Sequence, residues 1–324
     1  MCIAPCPDPI LYNRAMHILL PGAWPEPEVA ADLAPHLEAR APALVQCLRS
    51  VRPAPRSVAC PPADTWCTAE EHWLLQATGY TPDGHISAGL GPLRLPAEAG
   101  VPGSEPIWLA ELIHMAPSRD GAALLPARTL HITPDQAQAL LESARAELQD
   151  HPMLDLQPTA LASTWRVSWS EPVAIDCASP ALVAASAVND WWPQSPQARP
   201  WRRLVNALQM AWFEHPVNLA RTRQGEPPIN SLWLYGGGRR DQLRRPLPPD
   251  LHIDDRLGDF AMRQDWGGWL QALADMDKTL FGVPGQVPDH LTLCGRERHI
   301  TLNIRPGWFS RLRPHNWSLW WSSR

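Results

Sequence analysis

The sequence predicts an α/β protein in which a mixed sheet is flanked by helices. Two observations carry this: helical stripes that bring their own start signals, and short alternating strands between them. The clearest stripe is 134–149. Thr133 stands at its cap, Pro134 at its first position and Gln136 three residues on, while Ala137, Leu140, Leu141, Ala144 and Leu148 share one face. Residues 201–214 repeat the pattern with Trp201, Leu204, Val205, Leu208 and Trp212, and 265–281 with Trp266, Leu270, Leu273, Met276 and Leu280. "STWRVSW" sets Trp165, Val167 and Trp169 against Arg166 and Ser168, the period of a half-buried strand.

The remaining elements follow in chain order. An apolar run at 17–20 precedes a helical stretch, 27–50, expected to break near Pro35 and Pro42. Residues 53–62 read as loop. Thr68 with Glu71 forms a capping box ahead of "HWLLQAT", and Gly79 is placed to close that helix. Residues 80–104 hold nine Gly and Pro and read as loop. "PIWLAELIHM" and "AALLPA" flank Arg119-Asp120-Gly121, a hairpin signal. The 201–214 helix ends at His215, because a residue before proline is pushed out of the helical region. "INSLWLY" is a strand, and "HLTLC" and "HITLNI" form a pair around Gly295-Arg296 before a Trp-rich tail. The expected organisation is a dispensable extension over 1–15, with a natural start at Met16, then an N-terminal α/β region over 16–104. A domain over 105–245 and a C-terminal helix and hairpin region over 246–324 follow.

Composition narrows the function classes. The chain has 324 residues, 45% hydrophobic and 19% charged, which is ordinary for a globular protein. A net charge of −5 argues against nucleic-acid binding as the chain's main business, and no apolar run is long enough for a membrane span. The N-terminus lacks a charged segment followed by an apolar one, so no secretion signal is visible. Seven cysteines include no CxxC, which fits reduced, structural thiols in the cytoplasm. Seventeen Trp stand against four Phe and three Tyr. Trp212 and Trp233 are expected in the core, one on a helix's apolar face and one in the middle of a strand.

No HExxH, GxSxG or Walker loop occurs, so no catalytic residue, metal or cofactor is expected. The stretch 215–238 holds the strongest candidates. Gly236, Gly237 and Gly238 follow a strand, either as a tight backbone approach or as a nest of N–H groups for an anion. Arginines 221, 223, 239, 240, 244 and 245 bracket that strand, and arginine suits bidentate binding of phosphate or carboxylate. The site expectation is that His215, Asn218, Arg221, Asn230 and Gly236–Gly238 converge on one pocket for a small anionic ligand, with 215–221 as irregular backbone. The competing expectation is that these residues tie the helix end to the strand.

These residues also resemble a family. "HPVNLARTRQGEPPINSLWLYGGG" (215–238) and the upstream "AELIHMAPSRDGAALLPARTLHITPDQAQALL" (110–141) resemble segments of archaeal-type, cofactor-independent phosphoglycerate mutases. "ILLPG", "QMAWFEHPVN" (209–218) and "INSLWLYGGG" are similar to the mutase-like RpfE-type regulatory proteins. The resemblance spans roughly 105–240 and implies the mutases' inserted, substrate-covering cap domain. It also implies a metal core of the alkaline-phosphatase type, in which two metal ions and a Ser nucleophile transfer a phosphoryl group. That chemistry takes an Asp just after the first strand, where this chain has Pro21-Gly22; Asp32/His36, Asp150/His151 and Asp289/His290 have ligand-like spacing in the wrong order. The resulting expectation is a non-catalytic or regulatory protein of the RpfE type. The alternatives are a mutase-like phosphotransferase and a Trp-rich interaction module facing a protein partner or a second copy.

Overall fold

In the computed structural model the chain is described over residues 16–51, 56–96, 100–119, 121–283, 287–304 and 316–323. The extension 1–15 and Asp120 of the hairpin signal lie outside them. The fold divides into two compact units, Met1–Cys60 with Leu247–Arg324, and Pro61–Pro246. Boundaries expected near 105 and 245 therefore become 60/61 and 246/247. The first moves because residues 69–94 pack on the strands that follow them, and because the chain's two ends build one sheet.

In the first unit β1 (His17–Leu20) is buried at all four residues, as a strand flanked by parallel neighbours must be. It pairs in parallel with β8 (Leu251–Ile253) and β9 (His290–Cys294). β10 (Arg298–Asn303) returns antiparallel on β9 and also takes β2 (Val58–Ala59), giving the order β2-β10-β9-β1-β8. Leu33 and Leu37 of α1 (Pro27–Arg40) and Leu44 and Leu48 of α2 (Pro42–Ser50) pack with Leu291, Leu293, Ile300 and Leu302 in one core. The expected break at Pro35 does not occur: exposed on the outer face, it is carried inside α1, and the chain breaks at Ala41-Pro42. Nothing local caps α2, so Asp277 does. Its Oδ1 accepts from Leu44 N–H at 2.7 Å and its Oδ2 from Ala43 N–H at 3.2 Å, placing negative charge at the helix N-terminus. The last expected helix is α-helical over Trp266–Met276 and continues as a π-turn over Asp277–Phe281.

The second unit is an antiparallel sheet built on the 13-residue β3 (Pro106–Ser118). β7 (Ser231–Arg239) lies on one side of it. The other side takes β6 (Thr164–Trp169), backed by β5 (Leu154–Pro158), and then β4 (Gly121–Leu125) in a tight hairpin. Both faces are covered. Trp108, Ala110, Leu112, Trp165, Val167, Leu232 and Leu234 pack with α5 (Pro134–Glu147) and α6 (Arg199–Phe213). Ile107, Leu109, Ile113, Trp233 and Tyr235 pack against residues from α3 (Ala69–Ala77), α4 (Leu90–Arg94) and the segment around Leu182. Trp212 is 0% and Trp233 1% exposed, and no described tryptophan is fully exposed.

Two expectations need correction here. The glycine-rich stretch 80–104 is not simply loop: it carries a 3-10 turn, Ile86–Gly89, and α4. Gly91 serves close approach of backbones, since a Cβ there would run into the Ile107 carbonyl, whereas Gly84, Gly100 and Gly103 face open space. Residues 215–221 are not irregular either. Pro216 opens a second helix, α7 (Pro216–Arg223), at the position where its missing N–H costs nothing, with His215 as N-cap.

Candidate functional site

The expected site residues fall into two groups at opposite ends of β7. His215, Asn218, Arg221 and Asn230 gather where α6, α7 and the start of β7 meet. His215 is half-buried, its Nδ1 accepts from Val217 N–H at 3.3 Å, and burial lowers its pKa. Asn218, 2% exposed, donates from Nδ2 to the carbonyls of Trp212 and Ile229, both at 2.8 Å, and accepts from Ile229 N–H at 2.7 Å. Asn230 reproduces a strand pairing with its side chain, accepting from Met115 N–H at 2.7 Å and donating to Met115 O at 2.9 Å. Arg221 is 1% exposed. Its guanidinium donates to Pro227 O, Leu130 O and Gln136 Oε1 and pairs with Glu226 at 3.2 Å. Those four contacts occupy the charge that was expected to meet an anion.

Gly236–Gly238 do not join that group. They lie at least six residues along an extended strand from Asn230, roughly 20 Å at about 3.3 Å per residue. The strand runs through them to Arg239, with a register shift opposite Ile107/Trp108. Gly236 and Gly237 have φ of +94° and +96°, which a side chain resists. A Cβ on Gly236 would come 2.6 Å from Ile107 O, and one on Gly238 2.6 Å from Ala88 O. The triple glycine is a bulge pressed against the turn and helix at 86–94.

A cavity of about 250 Å³ opens beside the first group. Gln209, Trp212, Phe213, Asn218, Thr222, Pro228 and Asn230 line it. No charged side chain is among them. Phe213 is 79% exposed at this wall, and Met210 one turn back on α6 is 82% exposed.

The first unit was expected to lack a metal core, and the ends of its parallel strands bear on that. After β1 come Pro21 and Gly22; Gly22 has φ +71°, and a Cβ there would meet Gly258 Cα at 2.9 Å. After β8 comes Asp254, 8% exposed and clamped by Arg256, with Nε to Oδ1 at 2.9 Å and Nη2 to Oδ2 at 2.6 Å. Burial pushes the Asp254 carboxyl up, but the Arg256 hydrogen bonds and charge outweigh it and hold it below the usual range. After β9 come buried Cys294 and Gly295. The expected ligand pairs are elsewhere or engaged. Asp32 and His36 are exposed along α1, Asp289 Oδ2 accepts from Met16 N–H at 3.1 Å, and His290 Nδ1 meets Asn303 Oδ1 at 2.8 Å. A pair of metal ions of the phosphatase kind does not fit these strand ends.

One titratable group went unread in the sequence. Glu111 interrupts the apolar face of β3 between Leu109 and Ile113. Its carboxyl is pushed up to about 7 by burial, against the Ala127 N–H that donates to Oε1 at 2.8 Å and the nearby charge of Arg94. Glu71 adds to the rise; its own Oε2 accepts from Ser179 Oγ at 2.5 Å and Thr68 N–H at 3.0 Å, and its Oε1 lies 3.6 Å from Arg94. A lone carboxylate in a strand covered on both faces was the signal that could have found it.

With this geometry in view, similarity to known proteins is modest. No family model matches the chain. It is 26% identical over 113 residues to the 2,3-bisphosphoglycerate-independent phosphoglycerate mutase of Methanosarcina acetivorans, covering 33% of this chain and 27% of that enzyme. The Methanosarcina mazei enzyme of the same name is 25% identical over 113 residues, with the same coverage. A Geobacter sulfurreducens relative is 22% identical over 175 residues, 52% of this chain and 42% of its own. The chain thus shares weak homology with the cap domain of cofactor-independent phosphoglycerate mutases, and spans well under half the length of these relatives. Among solved structures, a Pyrococcus horikoshii protein aligns at TM-score 0.43 and 12% identity over 94% of this chain and 92% of its own. The Thermoplasma acidophilum cofactor-independent phosphoglycerate mutase aligns at 0.34 and 15%, covering 90% of each chain.

Proposed function

We propose that this protein is a non-catalytic, regulatory member of the RpfE type, which keeps a mutase-like cap domain and binds a small ligand without turning it over. The observation that carries the reading is the state of the parallel strand ends. Pro21 and Gly22 pack on Gly258, and the neighbouring carboxylate, Asp254, is neutralised by Arg256. Two-metal phosphoryl transfer needs a cluster of free anionic and imidazole ligands at one place. A carboxylate clamped by a guanidinium is a poor member of such a cluster. All five described cysteines are buried, which fits structural thiols in the cytoplasm. No helix among the described residues is long and apolar enough to cross a membrane.

The test is a coupled mutase assay on the full chain with 3-phosphoglycerate and added manganese. No turnover above a protein-free control is expected. Turnover that vanishes with chelator would establish the alternative, a mutase-like phosphotransferase, which the names of the relatives favour.

A further inference from the structure

Helix α6 is apolar on two opposite sides, and only one of them is used inside the second unit. Trp201, Leu204, Val205, Leu208 and Trp212 are buried in its core. At about 100° per residue, Met210 stands roughly 180° from the middle of that stripe, and Phe213 follows one turn on along the outer side. They are 82% and 79% exposed, the two most exposed large hydrophobic side chains among the described residues. A single exposed apolar side chain needs no explanation, but two adjoining ones form a patch that gains by being covered.

Charge says what covers it. Arg203 and Glu214, both exposed, stand at opposite ends of the patch. The step from 203 to 214 is about three turns, which puts both on the outer side with Met210 but about 16 Å apart. They cannot meet within one chain, and neither makes an ion pair among the described residues. A second α6 running antiparallel answers both at once. With Arg203 opposite the partner's Glu214, Glu214 falls opposite the partner's Arg203. The same register sets Met210 opposite the partner's Ala207, close to a two-fold axis, and Phe213 beside the aliphatic stem of the partner's Arg203. Antiparallel helices also set each N-terminus beside the other's C-terminus, an arrangement the helix dipoles favour.

We propose that this outer face of α6 is the contact between two copies of the chain, packed antiparallel about a two-fold axis with each Arg203 against the partner's Glu214. A single helix face lies at the small end of specific interfaces, below about 1,200 Å² in total, so the pair forms and dissociates with concentration. The contact stands apart from the reading of catalysis and ligand above, since it uses neither the strand ends nor Asn218, Arg221 or Asn230.

The test is sedimentation equilibrium of the full chain and its variants from about 5 µM to about 0.5 mM, a range that spans a weak contact of this size. The wild type should move from monomer toward dimer mass. Met210→Asp, at a position open to solvent, should keep the Tm and weaken dimerisation more than about tenfold, because a two-fold contact loses the side chain twice. Arg203→Glu and Glu214→Arg should each weaken it roughly threefold to thirtyfold, since each breaks two exposed ion pairs. The double variant Arg203→Glu/Glu214→Arg should restore the wild-type constant. A wild type that stays monomeric across the range leaves the face to another protein and overturns the proposal. So does a dimer indifferent to Met210→Asp, or a double variant no tighter than the single ones.

Discussion

Replacing Glu111 by Gln removes a charge while keeping an oxygen for the Ala127 N–H, so it isolates what ionisation of that carboxyl does to the fold. In the folded chain the group titrates at about 7 rather than 4.5, burial being the main cause. A raised folded pKa means the native state holds the proton more tightly than the unfolded one. The stability this contributes is complete below pH 4.5 and is lost as pH rises through 7. At about 1.4 kcal/mol per pKa unit, the loss between pH 4.5 and 8 comes to about 3 kcal/mol. A glutamine side chain cannot ionise, so the Glu111→Gln variant escapes it.

The assay is urea denaturation of both proteins at pH 4.5, 6, 7 and 8, followed by tryptophan fluorescence. The difference in unfolding free energy, variant minus wild type, should grow by about 3 kcal/mol across the series. Taking the difference matters because His17 works in the opposite direction. Its burial, with His290 beside it, lowers its pKa to about 4, so its contribution is present above pH 6.5 and is lost as pH falls toward 4. That term is common to both proteins and cancels. A difference that stays flat with pH would refute the reasoning, and would mean that Glu111 is solvated when ionised.

Arg221→Ala should destabilise the fold by about 3 kcal/mol in urea melts, because it leaves the Pro227 and Leu130 carbonyls and Glu226 without their donor; an unchanged unliganded Tm would return Arg221 to a ligand-binding role. Gly236→Ala should lower stability by roughly 1–3 kcal/mol from its positive φ, with more from the approach to Ile107 O; a neutral result would show that the bulge shifts freely. Trp233→Ala should cost about 3–5 kcal/mol, since it leaves a void at a fully buried ring and orphans the Ala178 carbonyl that takes its indole N–H at 2.9 Å. A loss below about 1 kcal/mol would mean that the site collapses around the gap.

What could be read from the sequence is what has a local cause. The helix at Thr133 was legible because cap, proline and box partner sit within four residues, and the structure contains that box. Its expected end at 149 overran the α-helix, which stops at Glu147 and tightens into a 3-10 turn. The strand "STWRVSW" was legible for the same reason. The role of Gly91 was not, because a glycine that admits a distant backbone has the same local signature as one in a loop. Only the Ile107 carbonyl, brought beside Gly91 by the fold, tells the two apart. Pro216 was read as an end and proved also to be a beginning, since proline is as acceptable at the first position of a helix as it is disruptive inside one.

The candidate site divides along the same line. The sequence brought Asn218, Arg221 and Asn230 forward as polar residues between a helix and a strand, and they do meet there. Whether such residues face a ligand or their own backbone depends on partners such as Met115, 115 positions from Asn230, and Leu130, 91 from Arg221. Those contacts take up the side chains of Asn218, Arg221 and Asn230. The Trp212 indole N–H, buried without a partner, belongs to a helix read only for its apolar stripe. A residue counted toward the core can thus hold a donor that the core fails to satisfy. Residue type alone does not separate a binding surface from a structural knot; the partners that the fold brings to each polar group do.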